Sequence, residues 1–265
     1  IGIGPIIGEA MLNDTNFERG FFVAGLFAFG SAAIALFAPA RVEPIDVVDD
    51  TIASAAPATG RRRLIHPAAI MPGLVLAAGV AAFASFGAFV PEYSRSVGLA
   101  SSGGLFAVYA LVSILVRIFG ATLPERLGPR RAVTIALSNV LIGLSILAAF
   151  PTIPALWIAS VVVGFGMAFN YPSLLALTVN RASDSDRAWA VSSFTMFFEV
   201  GSVAGGLLIG AFAEVVGKQL GFLGGVMFCA LGLYLLRFHL VPAGSPDAGP
   251  THRMSTASYS PVAGD

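Results

Sequence analysis

Charge is what this sequence has least of. Only 11% of its 265 residues are charged, against 56% hydrophobic, where a soluble domain carries about 25% charged residues. A chain this poor in charge cannot clothe a water-facing surface, so a soluble globular protein is excluded and a bilayer is the solvent that fits. The charges also cancel, with 15 basic and 15 acidic side chains and a formal net charge of zero. No basic stripe is left to track a phosphate backbone, so no nucleic-acid partner is expected. Cysteine is reduced to Cys229 in an apolar run, which rules out a disulfide framework and a cysteine-rich metal site. His66, His239 and His252 are scattered in loops or at a span end. No glycine-rich phosphate loop with a following lysine occurs, so no enzyme, cofactor, metal centre or ATP-driven pump is expected. A secretory signal pattern is missing as well.

What the chain does have is long apolar segments. It opens on "IGIGPIIGEAML" without a methionine, an apolar piece shorter than the roughly 20 residues a spanning helix needs. This reads as the tail of a helix whose beginning is missing, and the chain as N-terminally truncated. Apolar stretches of spanning length follow at 17–38, 68–93, 102–123, 132–150, 154–178, 188–213 and 218–238. Spans must be helices or closed barrels, because lipid offers backbone groups no water. Continuous Ala-, Leu- and Gly-rich runs without strict alternation choose helices. The fold class expected is all-α, a polytopic membrane protein.

Basic residues set the orientation. One side receives Arg41, Arg61, Arg62, Arg63, Arg126, Arg130, Arg131, Arg181, Arg187, Arg237 and Arg253, with Arg117 near that end of its helix. The other side receives Arg19, Arg95 and Lys218. The rich side is expected to be cytoplasmic, together with the tail after Leu240. Residues 39–67 read as a cytoplasmic linker, whose arginines could instead touch lipid headgroups. Residues 241–265, rich in Pro, Ser, Gly and Ala, read as a disordered tail. A faint echo at an offset of 201 residues pairs Gly4 with Gly205, Gly20 with Gly221, Phe21 with Phe222 and Phe37 with Phe238. Repeated halves are common in transporters.

One acid interrupts the apolar run "FTMFFEVGSVAGG". Ser192, Thr195, Glu199 and Ser202 are spaced 3, 4 and 3, which places them within an arc of about 80° on one helix face. An unpaired ionised acid at mid-membrane costs roughly 3 kcal/mol on insertion scales. Glu199 therefore faces a cavity or a partner, or stays protonated. A carboxyl away from water favours its protonated form, which suits a proton carrier. The alternative is a structural hydrogen bond between packed helices. A second stripe runs through Ser102, Phe106, Tyr109, Ser113 and Arg117. Arg117, about two turns inside the end of its span, either snorkels and anchors the loop through Glu125 or partners substrate or Glu199. On span 154–178, Gly164, Gly166, Asn170 and Pro172 suggest either a broken helix at a binding site or a kink with close packing. Phe83, Ser85, Phe86 and Phe89 are cavity wall or plain helix contact. Glu92 with Arg95, and Glu214 with Lys218, read as exposed ion pairs worth little. Asp184, Asp186 and Arg187 read as caps for the next helix.

Between two spans lies "RIFGATLPERLGPRR", where Pro124, Gly128 and Pro129 force a tight reversal. It resembles the cytoplasmic signature loop of the major facilitator superfamily, Gly-x-Leu-(Ala/Pro)-Asp-Arg-x-Gly-Arg-(Lys/Arg). Leu123, Pro124, Glu125, Arg126, Leu127, Gly128 and Arg130 occupy the pattern, with Ala121, Glu125 and Pro129 as departures from it. "FVPEYSRSVGL" resembles the end of the family's seventh helix, and "GFGMAFNYPSLLALTVNRASDSDRAWAVSSF" its tenth and the link to the eleventh. "GPIIGE", with Gly4, Pro5 and Gly8, resembles the end of the fifth-helix motif of exporters, with Glu9 in place of the second of its two final glycines.

The resemblance covers about residues 1–240 and implies an N-terminally truncated major facilitator-type bundle. Residues 1–38 would end the N-terminal bundle, 39–67 link, 68–240 form the C-terminal six-helix bundle and 241–265 trail. It implies a multi-pass cell-membrane protein that moves a small solute by alternating access, as an exporter exchanging solute for protons. Glu125 and Arg126 would latch the cytoplasmic side. Glu199, Arg117, Asn170, Thr195, Tyr109 and Ser113 are the residues set against substrate or proton. The rivals are a proton-coupled importer of the same fold and a truncated, non-transporting scaffold or sensor. Without the missing N-terminal helices the chain is not expected to transport.

Overall fold

A computed structural model describes residues 17–37, 64–120 and 127–238, with side chains of the first segment described from 22 to 34. Every described span is a helix, and there is no strand among the described residues. In chain order these are α1 Phe17–Phe37, α2 Pro67–Ser96, α3 Gly103–Phe119, α4 Pro129–Ala149, α5 Ile153–Val179, α6 Arg187–Val216 and α7 Lys218–Phe238. Five of them, α2, α4, α5, α7 and α6 with its preceding turn Asp184–Asp186, are long and apolar enough to cross a membrane. The apolar part of α1, Phe22–Ile34, and α3 are shorter. The spans expected from the apolar runs are all helical. The span expected over 102–123 ends at Phe119, with Gly120 as its C-cap.

Local chemistry sets the ends. Pro129 opens α4 behind Gly128, whose φ of 81° is a conformation other residues resist. His66 caps α2, its Nδ1 accepting from the Ala68 amide at 3.1 Å.

Helices α2 to α7 pack as one bundle. α2 lies along α6 and α7, α4 along α5 and α7, and α3 against α5. Two apolar clusters fill it, one around Phe86, Tyr109, Leu144 and Phe222 and one around Leu76, Leu137, Leu174 and Phe194. In lipid, helix association rests on close packing rather than on apolar transfer, and small residues admit that approach. Gly201 and Gly205 of α6 do so against α2. A Cβ at Gly201 would lie 2.5 Å from Ala77 O, and one at Gly205 would lie 2.5 Å from Ala81 Cα. α1 stands apart from this packing, with Phe22, Leu26, Phe27, Phe29 and Ile34 exposed.

Hydrogen bonds define the two ends of the bundle. At one end an Arg130 Nη2 of α4 donates to Leu236 O and Arg237 O of α7 at 3.2 and 2.9 Å. At the other, the Tyr93 hydroxyl of α2 donates to Leu147 O of α4 at 3.1 Å, and Gln219 of α7 donates to Ala148 O at 3.0 Å. Arg117, Arg130, Arg131, Arg181, Arg187 and Arg237 fall at the first end, and Arg95 and Lys218 at the second.

Candidate functional site

The acid of the apolar run sits on the outward face of α6. Its buried residues, Ala190, Ser193, Phe194, Phe197 and Gly201, turn toward the bundle. Ser192, Thr195 and Glu199 are exposed and Ser202 is half-buried. At 100° per residue the polar stripe is centred about 150° from the buried face. The exposed arc is divided lengthwise. Beside the polar stripe runs an apolar one made of Met196, Val200, Val203 and Leu207, each more than half exposed.

The stripe's hydroxyls are held by their own helix. Ser192 Oγ donates to Ala188 O, Thr195 Oγ1 to Val191 O and Ser202 Oγ to Phe198 O, each at 3.0 Å. Among the described residues Glu199 forms no ion pair. A structural hydrogen bond from Glu199 to a packed helix is therefore not what these six helices provide.

The other residues singled out in the sequence divide between core and edge. Tyr109 is buried, its ring stacked on Phe83 at 5.2 Å and tilted against Phe86 at 5.8 Å. Ser113 Oγ donates to Gly164 O at 2.9 Å, tying α3 to α5. The stripe on α3 is thus mainly a packing seam, with its far end, Arg117, exposed. Arg117 lies in the last turn of α3 rather than two turns inside, because the helix stops at Phe119. Phe86 and Ser85 are fully interior and Phe89 packs on Phe222, so that aromatic group is core.

Asn170 is 0% exposed and lies over Gly79 of α2, where a Cβ would meet its Nδ2 at 2.5 Å and Leu137 of α4 at 3.0 Å. It lies inside the bundle, while the Glu199 stripe lies on its outside. Neither Asn170 Nδ2, Asn170 Oδ1 nor Ser173 Oγ has a hydrogen-bond partner there. Gly164 and Gly166 serve close approach, to the Tyr109 backbone and to Ala136 O respectively.

Several ion pairs differ from those expected. Glu92 pairs with Lys218, not with Arg95, and this takes Lys218 from Glu214. Arg187 pairs with Asp184 at 2.8 Å. Asp186 occupies the N-cap position of α6 without capping it. Its carboxylate accepts from Ser183 Oγ at 2.7 Å and lies 4.0 Å from His66 Nε2.

His66 is the residue sequence reasoning missed. Its amide donates to Ser193 Oγ at 3.0 Å and its ring meets Trp189 edge-on at 4.7 Å. It fastens the start of α2 to the start of α6, some 120 residues away. Spacing could not reveal that contact; the one local signal was His66 immediately before the Pro67 that opens a span.

Of the signature loop, Gly128 and Arg130 are described, while Leu123, Pro124, Glu125 and Arg126 lie outside the described residues, as do Gly4, Pro5 and Gly8. Arg130 fastens α4 to the end of α7. Burial first, and then the like charge of Arg130, push the Arg181 guanidinium below its ordinary value. Among the described residues no group of three His, Cys, Asp or Glu could hold a metal.

The family model described as Major Facilitator Superfamily matches residues 1–143 and 103–262. The chain belongs to the major facilitator superfamily. An uncharacterized MFS-type transporter of Pseudomonas aeruginosa strain UCBPP-PA14 is 27% identical over 164 residues, covering 62% of this chain and 40% of that protein. Uncharacterized MFS-type transporters of strains LESB58 and PAO1 are each 28% identical over 152 residues, covering 57% of this chain and 38% of theirs. The chain thus spans about two fifths of the length of the curated relatives it matches. No solved structure matches it. Family and helices together make this major facilitator protein a multi-pass membrane protein.

Proposed function

We propose that this chain supplies the C-terminal bundle of a secondary transporter that moves a small solute by alternating access, with Glu199 as the acid coupling solute efflux to protons. The carrying observation is the outward polar stripe on α6. A carboxylate there is too costly against hydrocarbon, so the stripe calls for a polar surface opposite it. In a transporter of two bundles that surface is the other bundle, and the space between them is the solute path. The apolar stripe beside Glu199 would then meet lipid or the partner bundle's flank.

The remaining parts take their places around this reading. The arginine-rich end faces the cytoplasm of the cell membrane, together with the tail. The signature loop latches that end, and Arg130 anchors it to α7. The chain alone holds one wall of the path and does not transport. Direction of flux under an imposed gradient separates an exporter from an importer.

The test uses the complete reading frame containing this chain in proteoliposomes, with a pH gradient and candidate solutes. Glu199→Gln should abolish solute-dependent proton flux while leaving the protein folded. Equal flux in both would return Glu199 to a structural role and overturn the coupling assignment.

A further inference from the structure

The stripe on α6 has a hydrogen-bonding sense as well as a charge. A hydroxyl owns one proton, and Ser192, Thr195 and Ser202 each give theirs to the carbonyl four residues earlier. What each turns outward is lone pairs. Glu199, when ionised, also only accepts. The stripe is therefore an acceptor-only surface carrying one negative charge. Thr195 stands four residues before Glu199 and Ser202 three after it, so both are its neighbours on the face, with Cβ atoms about 5–6 Å away. Arg117, by contrast, lies in the last turn of α3, whereas Glu199 is about 18 Å along α6 from that end of the bundle.

Such a surface selects by chemistry. A carboxylate, phosphate or sulfonate would bring lone pairs against lone pairs. A quaternary ammonium would satisfy the charge but leave the hydroxyl oxygens unused. A primary or secondary ammonium satisfies both. We infer, resting on the transport reading above, that the solute class is a protonated amine with N–H donors. One N–H goes to the Glu199 carboxylate and another to Thr195 Oγ1 or to Ser202 Oγ, which flank Glu199 one helical turn away on either side. The same carboxylate can hold either the amine or a proton, which makes their exchange a competition for one site.

The test is equilibrium binding of tritiated benzylammonium to the complete reading frame in nanodiscs, competed by benzyltrimethylammonium and by benzoate. Benzylammonium should bind saturably. The quaternary ion should compete at least roughly tenfold less well, the worth of one charge-assisted hydrogen bond, and benzoate should not compete. Thr195→Val with Ser202→Ala should shrink that preference by about twofold to tenfold, because the hydroxyl acceptors are gone while the Glu199 carboxylate still accepts one N–H. Glu199→Gln should remove binding of both. Equal competition by the quaternary ion in the wild type, better competition by benzoate, or no saturable benzylammonium binding each overturn the inference. If those results appear while Glu199→Gln still abolishes coupled flux, the transport reading stands and the amine assignment falls. If Glu199→Gln leaves flux unchanged, the transport reading falls whatever the binding shows.

Discussion

Asn170 and Ser173 hold the unpaired buried side-chain atoms among the described residues, three atoms within one turn of α5. Each such group costs about 1–3 kcal/mol when nothing meets it, and i, i+3 neighbours share a face. They lie between the two apolar clusters along α5, after Val163 of one and before Leu174 of the other. One water would serve both side chains, since buried waters characteristically bridge groups of this kind. The two possibilities separate on replacement by apolar side chains of similar volume. If the pair is truly unpaired, Asn170→Leu with Ser173→Ala leaves thermal stability in detergent unchanged or raises it. If a water satisfies it, the double variant lowers stability by about 1–2 kcal/mol. Asn170→Asp should destabilise in either case, by about 3 kcal/mol or more, because it buries a charge with no partner. A tolerated Asn170→Asp would mean that α5 exposes this turn in another conformation.

At the scale of elements the contact between α2 and α6 sets where the polar stripe points. Glycines on α6 come in two kinds that the sequence does not distinguish. Gly205 abuts the α2 backbone, a Cβ there falling 2.5 Å from Ala81 Cα, while a Cβ at Gly206 meets nothing within 4 Å. Gly205→Ala should therefore wedge the helices apart and cost about 1–3 kcal/mol. Gly206→Ala should instead stabilise by roughly 0.5–1 kcal/mol, through helix propensity alone. Thermal unfolding of the two purified variants checks the sign, and the same sign for both would mean that α6 does not lie on α2 through this face. This pair also marks what the sequence could and could not tell. Helices were legible because hydrocarbon length imposes apolar runs that no loop imitates, so each described span is helical along its run, although that expected over 102–123 stops at Phe119. Faces were legible only in part. The spacing of Ser192, Thr195, Glu199 and Ser202 gave an arc without saying whether it turned inward, and the identical logic on α3 found a stripe that is core at Tyr109 and exposed at Arg117. Pairing failed where partners lie far along the chain. Glu92 chose Lys218 over the nearby Arg95, and His66 reached Asp186 and Ser193, because helix ends gathered by the bundle compete on equal terms with sequence neighbours.

For the whole molecule, the lengthwise division of the α6 surface carries the argument for a second bundle. A helix facing only lipid has no reason to carry a carboxylate and hydroxyls on one half of its exposed arc and Met196, Val200, Val203 and Leu207 on the other. A helix at the edge of a cavity has reason for both, since one strip meets water and the next meets apolar surface. This makes the boundary measurable. The chain's one cysteine, Cys229, is 0% exposed, so once any cysteine elsewhere in the reading frame is replaced, a charged aqueous thiol reagent should report an introduced cysteine against a silent background. In the complete reading frame in vesicles, Thr195→Cys should react, and alternating access requires that it be reachable from both sides of the membrane, at rates that shift in opposite directions when the pH gradient is reversed. Val200→Cys, about 140° around the helix from Thr195, should react at least roughly tenfold more slowly, because a thiol in hydrocarbon is neither hydrated nor readily ionised. Equal reactivity at the two positions would place the whole exposed arc in water or the whole of it in lipid. Reactivity at Thr195→Cys from one side alone would leave the polar stripe in a fixed vestibule and remove the moving barrier that solute exchange demands.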